Sequence, residues 1–473
     1  MVNQWNNVLP IQPEPPTWAS VSIETIKQDK DLRLEACLYA SKAEIFKNKI
    51  RKNKYGFVEL SKIVTECFYP NRFKRNYVSK KNGLPFFMPS QMQELNPKPY
   101  KYIAYKQIKN IENLIVRTNT LLITRSGTIG DVALVNKSLE NGLFSDDIIR
   151  VVPRQLIDLG YIYAYFKSKI GNNIIQSINY GSVIQHIEPE HLLKLPIPNA
   201  PDNTKQEIHQ LVIDSFALRD KSNELLQRAE EKLQNALKLP KIEDFERKDN
   251  QAYTFSINSE DLKDRLEANY YHPIVRDIEQ HLKQHAASVI YLGDRQIVDS
   301  IFLPNRYKRC YVKPEFGVPF LGGKEILELD PRGEKYLSRS KHKNLIQELT
   351  LHENMLLITR SGTIGKVVLV PSHWQNWTAS EHLLRVNPVS DDVAGYLFVW
   401  LNSQWALPLI QRHTYGSVIF EITEYHLADV AVPLVEQSIM AEINQLALSA
   451  NKLRTDAFNK EQQALAMFEK ILD

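Results

Sequence analysis

Residues suited to contacting phosphate and bases occur in this chain twice, at matching intervals. Asn71, Arg72, Phe73, Lys74, Arg75 and Tyr77 set cations and an amide among aromatic rings, and Asn305, Arg306, Tyr307, Lys308, Arg309 and Tyr311 do the same. A second group, Tyr100, Lys101, Tyr102, Tyr105 and Lys106, is answered by Lys335, Tyr336, Arg339, Lys341 and Lys343. Lys and Arg neutralise phosphate charge, and Arg and Asn carry donors that fit guanine and adenine edges. One cluster alone reads as a solvated face; two kept in both halves favour binding. Arg125 and Arg360 stand at corresponding strand ends and suit either a base or phosphate contact or a structural ion pair. Gln185 and His186 differ from Phe420 and Glu421 at the same points of an otherwise matched stretch, as two sites of different preference require and as neutral drift also gives.

Catalytic patterns are not found. Ser126 to Gly130 (SGTIG) holds two glycines after an apolar run, but neither G-x-x-x-x-G-K-[ST] nor G-x-G-x-x-G is present, and a second apolar run follows where a phosphate-binding helix would begin. A tight turn explains those glycines. H-E-x-x-H, G-x-S-x-G, an adenine-methyltransferase N-P-P-[YF] and carboxylate pairs common to both halves are all missing. Cys37, Cys67 and Cys310 do not correspond between the halves and form no C-x-x-C, so free thiols are expected and no metal site.

The element that positions these residues is a repeat. Leu121 to Gly130 (LLITRSGTIG) recurs unchanged as Leu356 to Gly365, a shift of 235. Tyr180 to Ile184 (YGSVI) returns at Tyr415 to Ile419 with the same shift; the basic clusters are shifted by 234 and Arg33 to Ala36 (RLEA) by 232. Thr120–Thr124 and Asp131–Val135 read as strands around the glycine turn, and 158–176 and 392–411 as helices, so each half is expected to be α+β. After prolines at 196–201 a stretch without Pro or Gly runs from Lys205 to Leu239. Ile208, Leu211, Ser215, Leu218, Ser222, Leu225, Ala229, Leu233 and Ala236 recur there at alternating spacings of 3 and 4, the seam of a coiled coil. Ile443, Leu446, Ala450, Leu453, Ala457, Lys460, Ala464, Phe468 and Ile471 form the second seam, with Lys460 as its exception. The small residues let two helices approach closely, and an antiparallel pair about 50 Å long would hold the large domains apart.

The 473 residues have room for two large cores, and 43% hydrophobic with 24% charged is ordinary soluble composition. A net charge of +4 restricts any nucleic-acid surface to local patches. The first residues lack a signal peptide's basic start and apolar core, and no run reaches the ~20 apolar residues of a membrane helix, so a cytoplasmic chain without a membrane span is expected.

Together, RLEACLY and RLEANYYHP, the doubled T-R-S-G-T-I-G, Y-G-S-V-I-x-x-I leading to a proline-rich end, and a long helix after each domain resemble a specificity subunit of a type I restriction–modification system over nearly the whole length. Prolines, charge and periodicity divide the chain into an N-terminal arm (1–20), a domain (21–202), a long helix (203–240), a linker (241–252), a second domain (253–436) and a second long helix (437–473); the resemblance implies that the domains are target-recognition domains and the helices conserved spacers. It implies a non-catalytic chain that reads bipartite double-stranded DNA. Two modification subunits carrying the S-adenosylmethionine chemistry, and restriction subunits using ATP and Mg, would join it. The family offers no invariant base-reading residues, so the candidate contacts rest on charge and position: Asn71, Arg72, Lys74, Arg75, Tyr77, Lys101, Tyr102, Arg125, Gln185 and His186 in the first half, and Asn305, Arg306, Lys308, Arg309, Tyr311, Tyr336, Arg339, Lys341, Arg360 and Phe420 in the second. Leu211, Leu218, Leu225, Leu446, Leu453 and Phe468 are the expected large seam residues. Two other readings stay open: a specificity-type reader in another methylation-based phage-defence complex, and a duplicated protein-interaction scaffold that does not bind DNA.

Overall fold

The computed structural model describes residues 23, 26, 42–99, 101–104, 111–178, 185–242, 254–262, 265–329, 331 and 335–472. The N-terminal arm, the first RLEA motif with Cys37, Tyr100, Tyr105, Lys106, the first YGSVI stretch and most of the linker lie outside them.

Each half builds the same three sheets. The first half supplies β1 (Phe57–Glu59), β2 (Val64–Phe68), β3 (Tyr77–Val78), β4 (Leu84–Phe87), β5 (Lys101–Ile103), β6 (Leu121–Thr124), β7 (Val132–Leu134), β8 (Leu143–Phe144), β9 (Ile148–Pro153) and β10 (Pro196–Pro198). They assemble as β1-β10, β2-β9-β6-β7 and β3-β5-β4-β8. The second half supplies β11 (Ser288–Tyr291), β12 (Val298–Phe302), β13 (Tyr311–Val312), β14 (Gly317–Leu321), β15 (Tyr336–Ser338), β16 (Leu356–Thr359), β17 (Val367–Leu369), β18 (Thr378–Ala379), β19 (Leu383–Pro388) and β20 (Ala431–Leu434). Their orders are β11-β20, β12-β19-β16-β17 and β13-β15-β14-β18. Pairing is antiparallel except where β8 joins β4 and β18 joins β14. β6 and β16 are apolar up to their closing threonines and buried on both faces, which explains why these runs do not alternate.

Where sequence suggested one helix over 158–176 there are two, Leu156–Lys167 (α1) and Lys169–Ser177 (α2). Ser168 breaks the run: its backbone is extended and its hydroxyl caps the second helix at the Gly171 amide, 3.1 Å away. The second half divides similarly, into Asp391–Leu401 and Ala406–Gln411.

The long helices α3 (Asp202–Ala236) and α4 (Gln437–Ile471), 35 residues each, run antiparallel against one another. Ser215 Oγ donates to the Ala457 carbonyl (2.8 Å) and Ser222 Oγ to the Ala450 carbonyl (2.9 Å). Under the 235-residue shift each of these contacts maps onto the other residue pair, so the two helices are related by a pseudo-twofold axis. The line of closest approach is the small-residue line: Ser215, Ser222, Ala229, Ala450, Ala457 and Ala464 are fully buried. Leu211, Leu218, Leu225, Leu446 and Leu453 flank it half-buried, while Phe468 is wholly buried in the first domain's core. Lys460, the exception in the pattern, reaches Asp214 on the facing helix at 2.9 Å.

Each domain grips its own long helix through a glycine. A Cβ on Gly160 would lie 2.6 Å from His209 Cα, and one on Gly395 2.5 Å from the Asn444 carbonyl. The amides of those glycines donate to His209 Nδ1 (3.3 Å) and Asn444 Oδ1 (2.8 Å). The domains also touch directly: Leu95 N donates to Leu327 O (2.9 Å) and Leu329 N to Gln93 O (2.6 Å), which pairs Glu94 with its own repeat counterpart Glu328.

Candidate nucleic-acid interface

The basic clusters divide into anchored and free members. Arg75 is fixed by Asp146 at 2.7 Å and Ser145 at 3.3 Å, and lies 5.5 Å from the centre of the Phe86 ring. Arg309 repeats this with Glu381 (2.8 Å), Ser380 (3.1 Å) and Phe320 (5.2 Å). Burial opposes the charge of both guanidiniums, but the facing carboxylates hold their pKa above the ordinary arginine value. Asn71, Arg72 and Lys74, and in the second copy Asn305 and Lys308, are exposed, and Arg72, Lys74 and Lys308 have no ion-pair partner among the described residues. Tyr77 on β3 is 47% exposed, with Lys101 Nζ 4.6 Å above its ring. Tyr102 on β5 sits between Val78 and Pro85. In the second copy Tyr311 is 43% exposed and within 3.5 Å of Arg309, Tyr336 is half-buried on β15, Arg339 Nε donates to the Gly317 carbonyl (3.0 Å), and Lys341 is exposed.

The glycine turn is a closed hairpin. Gly127 and Gly130 have φ of +74° and +84°, and Gly362 and Gly365 have +74° and +87°. Such angles favour glycine. Thr124 closes the first turn by accepting from the Asp131 amide (3.0 Å), and Thr359 closes the second through the Lys366 amide (3.0 Å). The arginine between Thr and turn is committed in both copies. Arg125 bonds Glu188 (2.5 Å) and Asp147 (3.4 Å) over the Tyr69 ring, and Arg360 bonds Glu421.

Glu421 also accepts from Arg306 at 3.2 Å. One carboxylate thus joins three motifs far apart in sequence: the basic cluster, the glycine hairpin and the end of the Y-G-S-V-I stretch. In the first copy the position of Glu421 is taken by His186, bridged to Ser126, with Gln185 exposed beside it. Phe420 is 53% exposed.

The cluster-anchoring acids Asp146 and Glu381 escaped the sequence reading, as did two buried arginines. Arg150 and Arg385 donate to three carbonyls each, on 144, 145 and 148 and on 379, 380 and 383. Burial pushes their pKa down to about 9 and about 10. Their identical place under the 235-residue shift was the available signal. Cys67 and Cys310 are free thiols, and burial, followed by Glu190, pushes Cys67 up to about 12, away from reactivity. Among the described residues no group of acids, histidines and cysteines could hold a metal, and no helix is long and apolar enough to cross a membrane.

Residues 52–232, spanning the first domain and most of α3, match the family model of the type I restriction modification DNA specificity domain. This segment of the chain carries a type I DNA specificity domain. The second half of the chain builds the same three sheets, the same glycine hairpin and the same anchored arginine. A type I S subunit from M. genitalium aligns over 89% of this chain and 96% of its own at 13% identity, with a TM-score of 0.33. The HsdS subunit of Thermoanaerobacter tengcongensis aligns over 89% and 99% at 13% identity and a TM-score of 0.28. A chain from a study of type I R-M complex assembly and conformational transition gives 88%, 97%, 13% and 0.28. At that similarity they carry no argument about how the two domains are arranged here. No curated protein matches the sequence.

Proposed function

We propose that each specificity domain reads one half of a bipartite duplex target and that α3 and α4 set the gap between the halves. The observation that carries this reading is the antiparallel helix pair with one domain gripped at each glycine contact, a pseudo-twofold frame that presents two surfaces of one plan and different detail. At 1.5 Å per residue each helix is about 50 Å long. Asn71, Arg72, Lys74, Tyr77, Lys101, Tyr102, Gln185 and His186 on one domain, and Asn305, Arg306, Lys308, Tyr311, Tyr336, Arg339, Lys341 and Phe420 on the other, are the groups offered to DNA. Arg75, Arg309, Arg125 and Arg360 position them.

The chain supplies recognition and no catalysis. Two modification subunits dock on the helices and domains and bring S-adenosylmethionine; restriction subunits bring ATP and Mg; the assembly works in the cytoplasm, away from membranes. Sequencing that reports methylated bases, in the source organism with and without this gene, tests the reading. Loss of adenine methylation at one bipartite motif is expected, and unchanged methylation in a strain that expresses the chain would sink it.

A further inference from the structure

The second domain exposes a short apolar hairpin that its own core does not use. Tyr415 and Glu421 pair antiparallel through both of their backbone bonds, 3.1 and 2.9 Å, and close a tip of residues 416–420. Gly416 turns the chain with φ +112°, where a Cβ would lie 2.3 Å from the Ile419 carbonyl, so the tip is built on glycine. Val418 is 91% exposed, Ile419 62% and Phe420 53%. The root is rigid. Ile422 behind it is fully buried and donates its amide to the Arg360 carbonyl (3.0 Å), and Glu421 is clamped by Arg306 and Arg360. Three adjacent apolar side chains on a rigid support are costly to leave in water and mark a contact surface.

The charge around the tip selects the occupant. Arg306, its side chain 70% exposed, stands at the root, and its cluster continues into exposed Asn305 and Lys308. Phe420 forms one wall of a groove of about 690 Å³ whose other walls include Lys366, the turn at Gly362 and Thr363, and Arg412, which is itself paired with Glu279 at 2.6 Å. Glu421 at the root is matched by two arginines. An apolar tip framed by cations fits a polyanion with an apolar interior, which is a stacked nucleic-acid duplex. We infer that Val418, Ile419 and Phe420 form a wedge that enters the duplex at the half-site of the second domain and opens a base step. This rests on the DNA-reading function proposed above. Inserted apolar side chains of this kind unstack a step and bend the duplex, which lets the flanking cations reach more phosphates.

The test uses the full chain co-purified with its modification subunits and duplexes carrying the motif found by methylation sequencing, with 2-aminopurine placed at each step of the second half-site in turn. With wild-type complex at saturation, one step should brighten several-fold. V418S/I419S/F420S should bind roughly tenfold more weakly and lose the brightening even at saturation. R306A should bind more weakly but keep it, and F420A alone, at an exposed site, should reduce it. A saturated wild-type complex in which no step brightens, or a serine variant that brightens as wild type does, overturns the wedge while leaving DNA reading intact. A serine variant that keeps the brightening but no longer co-purifies with modification subunits assigns the tip to protein docking instead. Absence of salt-dependent binding by the wild type would remove the wedge and the reading together.

Discussion

The two halves use one framework and stabilise it with different polar groups. At the helix pair, Arg219 and Arg454 are counterparts under the 235-residue shift. Arg219 faces Glu461, which is wholly buried and also accepts from the Tyr163 hydroxyl. Burial alone would raise the pKa of Glu461, but Arg219, Lys167 and Tyr163 outweigh it and hold it down at about 2. Opposite Arg454 the sequence offers Leu226 in place of Glu461 and Phe398 in place of Tyr163, and Arg454 has no ion pair among the described residues; burial lowers its pKa to about 10. The glycine hairpins differ in the same way, since Arg125 takes Glu188 whereas Arg360 takes Glu421. Backbone geometry, small-residue contacts and the anchored arginine of the basic cluster are what the repeat retained; the ion pairs at the helix axis and at the glycine hairpin were assembled separately in each half.

The most drastic way to break the comparison acts on both halves at once. Seven residues inserted into each of α3 and α4 lengthen the pair by about 10 Å, or about three base pairs, and part the Leu95–Leu327 contact. The methylated motif should keep its half-sites and gain about three base pairs between them, and an unchanged gap would refute the spacer role.

Substitution at the axis comes next. Arg219→Leu leaves a buried carboxylate without its cation and should cost about 3–5 kcal/mol in denaturant unfolding, whereas R219L/E461L should recover most of that. Arg454→Leu, with no carboxylate to strand, should be near neutral or stabilising. Equal losses for Arg219→Leu and Arg454→Leu would show that the asymmetry has no energetic content. Gly160→Ala and Gly395→Ala sharpen the opposite side of the comparison, because both contacts are retained. Each should destabilise by about 1–3 kcal/mol, measured by thermal unfolding, and a large loss in only one would break the symmetry claimed for the grip.

How much of this was legible follows from which features were duplicated. The repeat exposed the α+β halves, the glycine turns and the long helices, because each left the same letters in two places. The heptad pattern located the helix seam, and its serines and alanines meet as their small size suggested, while the large seam residues Leu218 and Leu453 lie half-buried to the side. Asp146 and Glu381 were missed because the repeat conserves their charge and not their letter. Glu461 was invisible for a stronger reason, since its counterpart is Leu226 and only the folded pair shows what it faces.

Acid should reveal that carboxylate. With its folded pKa near 2 against an ordinary 4.5, the ionised Glu461 contributes stability above pH 4.5 that is lost as pH falls towards 2. Glu461→Gln should therefore flatten that part of the stability–pH curve. The smallest expected effect is at the surface: Arg72→Ala, Lys74→Ala and Lys308→Ala should each lower the salt slope of DNA binding by about 1, whereas Arg75→Ala and Arg309→Ala, which free Asp146 and Glu381, should also lower the thermal midpoint.

The crossed helices have a consequence for how the chain is made. Ala464, Phe468, Ile471 and Leu472 belong to the core of the first domain, and Asn53 Nδ2 donates to the Ile471 carbonyl at 2.6 Å. Leu226, Ala229, Leu233 and Leu237 belong to the core of the second. A ribosome releasing this polypeptide has therefore finished the first domain's strands long before the side chains that seal them emerge. The nascent first half must wait with an open apolar flank until α4 emerges, so a chain terminated before α4 leaves an unsealed, aggregation-prone product.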